Sequence, residues 1–221
     1  MNITKIATHN GEKVVFGEKS TAQTIYDFIG TIPRIFLSPS ILKVLGLTDM
    51  LVERFTMVLN NTKGKLADIG CGDNEMTAIY SNATGNKAIG IDVYDFGGGA
   101  MIVEDTSDLP FDDASFDTVS FVACLNHVPV SIRHAVLKEA GRILTEDGRI
   151  VITMINPFVG IIRHKLAWWD KDQHERGMEE EDMGLTPEYI IQLFKECGYK
   201  LSLKQGFMFG LNTLYVFEKD N

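Results

Sequence analysis

The stretch LADIGCGDNE, residues 66–75, constrains the fold of this chain more than any other. An apolar run ends in an acid, and two glycines separated by one residue follow it. This order predicts a buried strand that turns sharply into a helix, because glycine adopts backbone conformations that a Cβ forbids. Where a parallel strand meets a helix in this way, the loop between them is a common place for a charged cofactor.

The chain after residue 65 alternates between short apolar runs and helical patterns. The apolar runs predict five strands, namely KLADIG, KAIGIDV, a short third strand ending at Asp105, FDTVSFVACL and RIVITMI. An amphipathic helix between the last two is predicted to end at Gly148. Residues 200–219 predict an antiparallel hairpin at the sheet edge. Because strands that alternate with helices need crossover connections, we expect an α/β fold whose mostly parallel sheet has helices on both faces.

The domain organisation follows from changes of pattern along the chain. Residues 1–61 are predicted to form a helical cap region, in which one helix begins at Thr48. Residues 62–221 are predicted to form the main domain. Within it, the irregular segment at about residues 156–184 is predicted to be a lid or substrate insertion. The helix after this segment is predicted to have Thr186 as its N-cap.

Composition and charge exclude several classes of protein. The chain has 221 residues, 45% hydrophobic and 23% charged, which is an ordinary balance for a globular protein. Its net charge of −9 repels nucleic acid, so no nucleic-acid partner is expected. Three cysteines are too few for a disulfide framework or a zinc site. The chain shows neither a signal-peptide pattern nor an apolar run of the roughly 18 residues that cross a bilayer, so we expect a cytoplasmic protein without stable membrane insertion.

The glycine loop leaves two classes of cofactor open. A dinucleotide fingerprint needs a third glycine three residues after the second one, and this chain has Glu75 there. An acid in the first turn of the following helix repels a pyrophosphate, which would bind at that helix N-terminus. Glu75 therefore favours a sulfonium cofactor, S-adenosylmethionine, over the dinucleotide of an NAD(P)-dependent oxidoreductase.

S-adenosylmethionine carries an ammonium, a carboxylate, a positive sulfur, a ribose diol and an adenine. Asp68 ends the first predicted strand and fits beside the ammonium, while Gly70 and Gly72 let the backbone approach the ligand closely. Asp92 ends the second strand, where a carboxylate can accept both ribose hydroxyls. Asp105 is predicted to end the third strand, where it can accept from the adenine amino group.

Four segments make the resemblance to a known family specific, namely ADIGCGDN, GIDV, VEDTSDLPFDDASFDTVSF and LKEAGRILTEDGRIVIT. Together they resemble the Rossmann-like (class I) S-adenosylmethionine-dependent methyltransferases, most of all the small-molecule subgroup that contains the quinone-biosynthesis type. The resemblance implies a seven-stranded sheet with an antiparallel final strand. It also implies S-adenosyl-L-methionine as cofactor, S-adenosyl-L-homocysteine as product and a small or medium-sized metabolite as acceptor. The oligomeric state is open between monomer and homodimer.

The resemblance also implies roles for individual residues of the cofactor site. These are Asp68, Gly70, Cys71 and Gly72 at the methionine end, Asp92 on the ribose, Val93 on the adenine face, Asp105 and Thr106 at the adenine edge, and Cys124 and Leu125 near the sulfur. This chain departs from the family pattern at Asn74, where a third glycine is usual. Asparagine tolerates a left-handed backbone better than most residues, so we expect the loop to form.

Asn126 and His127 follow the fourth predicted strand and are the candidate catalytic residues. Histidine exchanges protons near neutral pH, so His127 could remove a proton from an oxygen, nitrogen or acidic carbon of the acceptor. The alternative is that both residues order the loop through hydrogen bonds. Methyl transfer often needs alignment more than a strong base.

The predicted insertion at about residues 156–184 is rich in histidine, tryptophan and carboxylates. Their spacing matches no metal-ligand pattern, so no metal is expected. The apolar part of this segment predicts a lid or a wall of a substrate pocket, with a membrane-interface helix as the alternative. Because fold does not determine function, a non-catalytic protein that binds S-adenosylmethionine is also an open reading of the whole chain.

Overall fold

The computed structural model describes residues 5–7, 14–17, 19–37, 39–157 and 184–220. The strands in these residues are β1 (Lys5–Ala7), β2 (Val14–Phe16), β3 (Leu66–Ile69), β4 (Ala88–Asp92), β5 (Met101–Ile102), β6 (Phe116–Val122), β7 (Leu144–Ile155), β8 (Tyr199–Phe207) and β9 (Asn212–Lys219). The helices are α1 (Thr21–Ile29), α2 (Thr31–Phe36), α3 (Pro39–Val44), α4 (Met50–Asn60), α5 (Glu75–Thr84), α6 (Arg133–Ile143) and α7 (Pro187–Glu196). A single 3-10 turn, Met208–Gly210, joins β8 to β9.

The strands from β3 to β9 form a seven-stranded sheet in the order β5-β4-β3-β6-β7-β9-β8. β3 pairs in parallel with β4 and β6, β4 with β5, and β6 with β7. β9 runs antiparallel to both β7 and β8, so it opposes the direction of the other strands in this sheet. β1 and β2 pair separately as an antiparallel hairpin. The predicted α/β fold with a mostly parallel seven-stranded sheet and an antiparallel final strand is confirmed.

Helices cover both faces of the sheet, as the sequence predicts. On one face, α6 and α7 pack through buried residues such as Leu137 and Phe194 against Ile152 of β7. On the other face, α4 packs through residues such as Val58 in a cluster that includes Val151 of β7. Successive residues of a strand point to opposite faces, which is why Val151 and Ile152 belong to different clusters. Burial of these apolar side chains is the main force that holds the layers together.

α4 begins later than the sequence predicts. Its N-cap is Asp49 and not Thr48, and the Asp49 carboxylate accepts a hydrogen bond from Leu51 N at 2.8 Å. Aspartate and threonine both cap helices well, so a local pattern does not choose between two such neighbours. The predicted division of the chain into a cap region, residues 1–61, and a main domain, residues 62–221, stays a prediction.

α6 ends earlier than predicted, at Ile143 and not at Gly148. Leu144 pairs with Phe116 of β6 and is completely buried, so the chain enters β7 at once. Residues 144–148 continue the helical pattern, but helix propensity is a weak preference that sheet pairing and core burial override. The prediction for this boundary was wrong for that reason.

β5 is also shorter than predicted, because it ends at Ile102 and not at Asp105. Val103 N still donates to Asp92 O at 3.0 Å, after which the chain leaves the sheet. β5 lies at the end of the strand order and has β4 as its neighbour on one side. Short edge strands are usual because a long unpaired edge invites aggregation.

The parallel strands end at one edge of the sheet. Asp68 of β3 pairs with Ser120 of β6, and Asp92 is the last residue of β4. β9 runs in the opposite direction and begins at this edge, where Asn212 pairs with Ile155 at the end of β7. The loops after the carboxyl ends of parallel strands are where α/β proteins build their ligand sites. The fold therefore directs attention to this edge.

Candidate functional site

The loop between β3 and α5 is built on left-handed backbone. Gly70 and Gly72 have φ angles of 73° and 58°, and Asn74 has a φ angle of 58°. Glycine adopts this region freely, and asparagine is among the few other residues that enter it readily. The prediction that Asn74 can form the loop in place of a third glycine is confirmed. α5 then begins at Glu75.

Three glycines shape the loop and its surroundings. A Cβ on Gly70 would lie 2.6 Å from Cys124 Sγ, so the loop packs directly on the segment after β6. A Cβ on Gly90 of β4 would lie 2.0 Å from Asn74 Oδ1, so the asparagine side chain occupies the space above that glycine. A Cβ on Gly72 would meet nothing within 4 Å. The loop is therefore packed at two places and open at Gly72, where a ligand can approach the backbone.

Asp68 is a buried carboxylate near the end of β3. It is 2% exposed, and its Oδ1 accepts a hydrogen bond from Ser120 Oγ at 2.6 Å. Burial raises the pKa of Asp68 to about 7, the hydrogen bond from Ser120 opposes this rise, and the charge of Asp92 adds to it. A carboxylate this buried is stable in its ionised form only beside a positive group or further hydrogen-bond donors.

Asp92 ends β4, and its carboxylate joins two loops. Oδ2 accepts a hydrogen bond from Gly72 N at 2.9 Å. Oδ1 accepts from Val93 N at 2.8 Å and from Tyr94 N at 3.2 Å. A carboxylate offers about four acceptor positions. Within the described residues three of them are used, which leaves a position on Oδ2 for a hydroxyl group of a ligand.

Two cysteines complete a cluster of titratable groups at this edge. Burial, followed by the charges of Asp68 and Asp92, raises the pKa of Cys71 to about 12. The same causes in the same order raise the pKa of Cys124 well above its ordinary value, and its Sγ donates to Ile69 O at 3.0 Å. Both thiols therefore stay protonated near neutral pH and are poor nucleophiles. They are therefore neutral neighbours of Asp68 and Asp92, and their contact with a cofactor stays a prediction.

The residues predicted to bind adenine lie at an open part of the surface. Val93 and Asp105 are exposed, and Thr106 is half-buried. Asp105 Oδ1 accepts hydrogen bonds from Ser107 N at 2.7 Å and from Ser107 Oγ at 2.8 Å, and these bonds lower the pKa of Asp105. Because β5 ends before it, Asp105 lies in a turn and not at a strand end. A contact of these three residues with adenine stays a prediction.

Leu125, Asn126 and His127 form the loop after β6. Leu125 is completely buried, so its side chain anchors the loop in the hydrophobic core. His127 is exposed, and its backbone N–H donates to Cys124 O at 2.8 Å. Asn126 Nδ2 and His127 Nε2 lie 3.3 Å apart. The two candidate catalytic residues are neighbours in the sequence, the structure places both in the loop after β6, and their roles stay predictions.

Arg133, at the start of α6, holds this loop in place. Its Nε donates to Val128 O at 2.8 Å, and its two Nη atoms donate to Asn126 O at 3.3 Å and to Tyr189 Oη at 3.1 Å. The side chain is almost completely buried, and its guanidinium carbon lies 5.6 Å from the centre of the Tyr189 ring. A buried guanidinium with this many partners orders the segment that carries Asn126.

Three residues of the candidate site, namely Ser120, Tyr94 and Arg133, are not predicted by the sequence patterns. Ser120 meets Asp68 because β6 and β3 are neighbours in register, and no local pattern reveals which strands become neighbours. Tyr94 contributes its backbone amide, which any residue type could do. Of the three, only Arg133 could have been inferred from the sequence. It lies at the start of an apolar helix face, and a cation that is buried there needs hydrogen-bond partners.

A cavity of about 590 Å³ has a separate lining from α1, α3, α4 and their connections. Lys19 and Glu53 belong to this lining and form an ion pair of 2.5 Å. Lys19 also pairs with the buried Asp27 at 2.6 Å, and Arg34 pairs with Glu53 at 2.5 Å. These charges compensate one another and fasten the helices together. None of the predicted cofactor or catalytic residues lines this cavity. The candidate site is therefore placed at the carboxyl ends of β3 and β4, where Asp68 and Asp92 lie.

The described residues contain neither a candidate metal site nor a candidate membrane-spanning helix. In them, no group of three or more His, Cys, Asp or Glu side chains is placed to hold a metal ion. No helix in the described part of the chain is both long and apolar enough to cross a membrane. The predicted lid or substrate insertion at about residues 156–184 lies, except for its two ends, outside the described residues.

The seven-stranded sheet with its antiparallel β9 is the fold of the Rossmann-like (class I) methyltransferases. Residues 67–152 match the family model described as "Methyltransferase domain". The matched segment contains the ends of β3, β4 and β6 and therefore the whole cluster around Asp68 and Asp92. This match covers less than half of the chain, and it confirms the resemblance to methyltransferases that the sequence motifs indicate.

Two curated proteins are similar to part of the chain. A demethylmenaquinone methyltransferase of Thermotoga maritima is 32% identical over 122 residues, which are 48% of this chain and 52% of that protein. An uncharacterized protein of Methanocaldococcus jannaschii is 34% identical over 94 residues, which are 40% of this chain and 36% of that protein. The chain thus spans about half, or less, of the length of these curated relatives.

Solved structures share the fold over most of the chain. One is 1,6-didemethyltoxoflavin-N1-methyltransferase of Burkholderia thailandensis with bound 1,6-didemethyltoxoflavin and S-adenosylhomocysteine. It has a TM-score of 0.58 at 13% identity and covers 97% of this chain and 99% of that one. The PH0226 protein of Pyrococcus horikoshii has a TM-score of 0.59 at 17% identity, with 92% and 100% coverage. At these identities the likeness is one of fold.

Proposed function

We propose that this chain is an S-adenosylmethionine-dependent methyltransferase that acts on a small or medium-sized metabolite. The observation that carries the proposal is the meeting of the glycine loop, Asp68 and Asp92 at the carboxyl ends of β3 and β4. An open glycine backbone beside two carboxylates suits a ligand that has both an ammonium group and a diol. The match to the methyltransferase family model and the Thermotoga maritima relative support the same activity.

The residues present fit this cofactor. Gly72 leaves room for a ligand against its backbone, since a Cβ there would meet nothing within 4 Å. Asp68 is buried among acids, and an ammonium group would give it a positive partner. Asp92 keeps an acceptor position for a ribose hydroxyl. We assign the methionine end to Asp68, Gly70, Cys71 and Gly72, the ribose to Asp92, the adenine to Val93, Asp105 and Thr106, and the sulfur to Cys124 with Leu125 behind it.

A dinucleotide fits the same loop less well. Glu75 is the first residue of α5, so its carboxylate lies in the helix turn at which a pyrophosphate would bind. Two negative groups at one helix N-terminus repel each other and remove the advantage of that position. An NAD(P)-dependent oxidoreductase is therefore the weaker alternative, and the titration described below separates the two.

When bound, S-adenosylmethionine supplies a methyl group on a positively charged sulfur. The contribution of the chain is to hold the acceptor in line with that group, because methyl transfer depends mainly on alignment. Cys124 lines this position as a neutral thiol and does not compete as a nucleophile. We assign to Asn126 and His127 any removal of a proton from the acceptor, and Arg133 keeps their loop in place.

The acceptor would approach from the side of α1 and the turn between β8 and β9. This turn lies at the same sheet edge, because Asn212 begins β9 opposite Ile155. Phe209 in the turn packs edge-to-face on Phe28 of α1, with ring centres 5.0 Å apart. Further apolar side chains are exposed on α1 and α2, namely Ile25, Ile29 and Ile32. An apolar wall of this kind favours a largely apolar metabolite.

Other properties support a small acceptor and not a polymer. The net charge of −9 disfavours nucleic acid and suits a neutral or cationic acceptor. Demethylmenaquinone and 1,6-didemethyltoxoflavin, which occur in the names of two matched proteins, are small molecules. A cytoplasmic location and a monomeric or homodimeric state complete the proposal.

A calorimetric titration tests the cofactor. S-adenosylmethionine, S-adenosylhomocysteine and NADH are titrated in parallel into the full chain, Asp92→Ala and the control Asp95→Ala. Asp95 is an exposed aspartate whose Oδ1 accepts from Gly97 N at 2.7 Å, so the control removes a comparable bond from a neighbouring turn. Binding of both sulfur ligands that is lost only in Asp92→Ala supports the proposal. Binding of NADH instead, or of neither sulfur ligand, overturns it.

Catalysis needs a separate assay, because a non-catalytic protein would bind the cofactor equally well. The full chain is incubated with S-adenosylmethionine and a panel of small apolar, neutral and cationic metabolites, and formation of S-adenosylhomocysteine is measured. Turnover with at least one acceptor identifies an enzyme. Saturable cofactor binding without turnover on any class of acceptor would make the chain a cofactor-binding protein.

A further inference from the structure

Ser120 and Asp68 lie side by side in neighbouring strands. They pair in the parallel register of β6 and β3, both are buried, and Ser120 Oγ donates to Asp68 Oδ1 at 2.6 Å. We propose that Ser120 is a positioning residue of the cofactor site, which holds Asp68 so that binding of the cationic cofactor is coupled to loss of the Asp68 proton. This inference rests on the proposed function, because its ligand is the proposed cofactor.

The groups around Asp68 explain why a proton has to leave. Asp92 faces it from β4, Cys71 from the glycine loop, and Cys124 from the segment after β6. All of these groups are acids, so in the described part of the chain no cation compensates a charge on Asp68. The ammonium group of the cofactor would be the positive partner of this carboxylate, and the displaced proton would pass to the solvent.

The bond from Ser120 has two consequences for Asp68. It occupies Oδ1 and so fixes the orientation of the carboxyl group, which leaves Oδ2 for the ligand. It also stabilises the ionised form, since a hydrogen bond to a carboxylate favours the charge. Burial nevertheless raises the pKa of Asp68 to about 7, so the proton exchanges near neutral pH. Binding of a cationic ligand should therefore strengthen as the pH rises through this range.

The test compares Ser120→Ala with Ser120→Thr, which keeps a hydroxyl, and with the control Thr118→Val. Thr118 is a buried hydroxyl on the same face of β6, but it accepts from Lys63 N at 3.0 Å and donates to Lys63 O at 2.8 Å. Its loss removes hydrogen bonds from the same strand without touching Asp68. Affinity for S-adenosylhomocysteine is measured calorimetrically between about pH 5.5 and 8, in buffers of different ionisation enthalpy that count released protons.

For the unchanged chain we expect the affinity to rise up to about pH 7, with close to one proton released per ligand at the acid end. Ser120→Ala should move the midpoint upward by about one pH unit. Binding then weakens about tenfold near pH 6 and much less near pH 8. Ser120→Thr and Thr118→Val should both keep the profile of the unchanged chain.

Several outcomes would overturn the inference. Equal weakening of Ser120→Ala at every pH would reduce Ser120 to a structural role. If the affinity of the unchanged chain did not depend on pH and no proton were released, ligand binding would not be coupled to loss of the Asp68 proton. The proposed function would remain intact. Absence of S-adenosylhomocysteine binding at every pH would instead overturn the proposed function, and the inference with it.

A measurement without any variant protects the test against a Ser120→Ala chain that fails to fold. The carboxyl carbon of Asp68 is titrated by NMR in the unchanged chain, with and without S-adenosylhomocysteine. A pKa near neutrality that falls when the ligand binds supports the coupling. A pKa of the free chain close to the ordinary 3.8 overturns it.

Discussion

The side chain of Asn74 occupies the space above Gly90, since a Cβ on Gly90 would lie 2.0 Å from Asn74 Oδ1. The same Oδ1 accepts a hydrogen bond from the Thr77 hydroxyl, and Asn74 Nδ2 reaches Gly98 O at 3.4 Å. The asparagine thus ties the glycine loop to the first turn of α5 and to the loop after β4. Gly90 and Asn74 therefore work as a pair, because one has no side chain where the other places its own.

Gly90→Ala should lower the free energy of unfolding by about 1–3 kcal/mol and weaken S-adenosylhomocysteine binding, because the new methyl group displaces Asn74. Asn74→Gly in the same chain should restore part of the loss, since the clash is relieved and glycine keeps the left-handed backbone. Restoration stays partial because Cys71 Sγ would also lie 2.7 Å from the new Cβ. Urea unfolding of the four chains of this cycle measures the coupling, and strictly additive effects would contradict it.

The raised pKa of Asp68 makes the stability of the ligand-free chain depend on pH. The folded chain keeps this proton up to about pH 7, whereas the unfolded chain loses it near the ordinary 3.8. The proton retained on Asp68 thus makes its full contribution to the stability of the folded chain below about pH 4. This contribution is lost as the pH rises through 7. Relative to Asp68→Asn, the free energy of unfolding should fall by roughly 3 kcal/mol between about pH 5 and 8.

Urea unfolding at several pH values measures this difference, with Asp95→Asn as a control at an exposed carboxyl. The control should follow the unchanged chain at every pH. Parallel curves for the unchanged chain and Asp68→Asn would show that Asp68 does not retain a proton in the folded state. Saturating S-adenosylhomocysteine should flatten the dependence, because the ligand replaces the proton as the positive partner.

Arg133→Lys should loosen the loop that carries Asn126 and His127. Lysine cannot reproduce the fork of bonds to Val128 O, Asn126 O and the Tyr189 hydroxyl. Hydrogen–deuterium exchange of residues 124–128 should accelerate about tenfold, the effect of losing one charge-assisted bond.

Arg142→Lys is the matched control for that experiment, because Arg142 also lies on α6 and donates to backbone carbonyls. Its partners are Phe111 O at 2.7 Å and Leu109 O at 3.0 Å, so this change should accelerate exchange near residues 109–113 instead. Equal acceleration of both segments in both variants would mean that the arginines stabilise α6 as a whole. Arg133 would then have no specific hold on the loop that carries Asn126 and His127.

Phe209 combines a left-handed backbone, with a φ angle of 57°, and ring contact with Phe28. Phe209→Ala removes the ring and keeps the strained backbone, whereas Phe209→Gly removes both. We expect Phe209→Gly to be the more stable of the two by about 1 kcal/mol, the reverse of the usual order. Leu211 has an ordinary φ angle of −69°, so alanine should be the more stable there. Urea unfolding of the alanine and glycine variants at Phe209 and at Leu211 measures both stability differences. If the alanine variant were the more stable one at both positions, Phe209 would not have a strained backbone.

The order of elements after residue 65 is readable in the sequence because each strand and helix repeats its own hydrophobic period. The predicted loop residues Asp68, Gly70 and Gly72 come from the same source, since a strand, an acid and two glycines are contiguous. Asn74 could be judged from its backbone preference alone. These predictions hold because a few neighbouring residues decide them.

The ends of helices and strands, and the residues that pair across the sheet, cannot be predicted from neighbouring residues alone. Residues 144–148 keep a helical pattern, yet Leu144 joins the sheet because Phe116 lies beside it. Asp105 follows a strand that ends early because β5 lies at the sheet edge. In both cases a neighbour distant in sequence outweighs the local preference.

The sequence by itself determined the class of fold, the position of the glycine loop and the acids at the ends of its first two strands, because local chemistry encodes all three. Only the tertiary structure decided that Ser120 bonds to Asp68, that Gly90 makes room for Asn74, and that Arg133 holds the loop of His127. Each of these contacts joins elements whose neighbourhood depends on strand order and register. Strand order is set by the burial of the whole core, and no short stretch of sequence contains it.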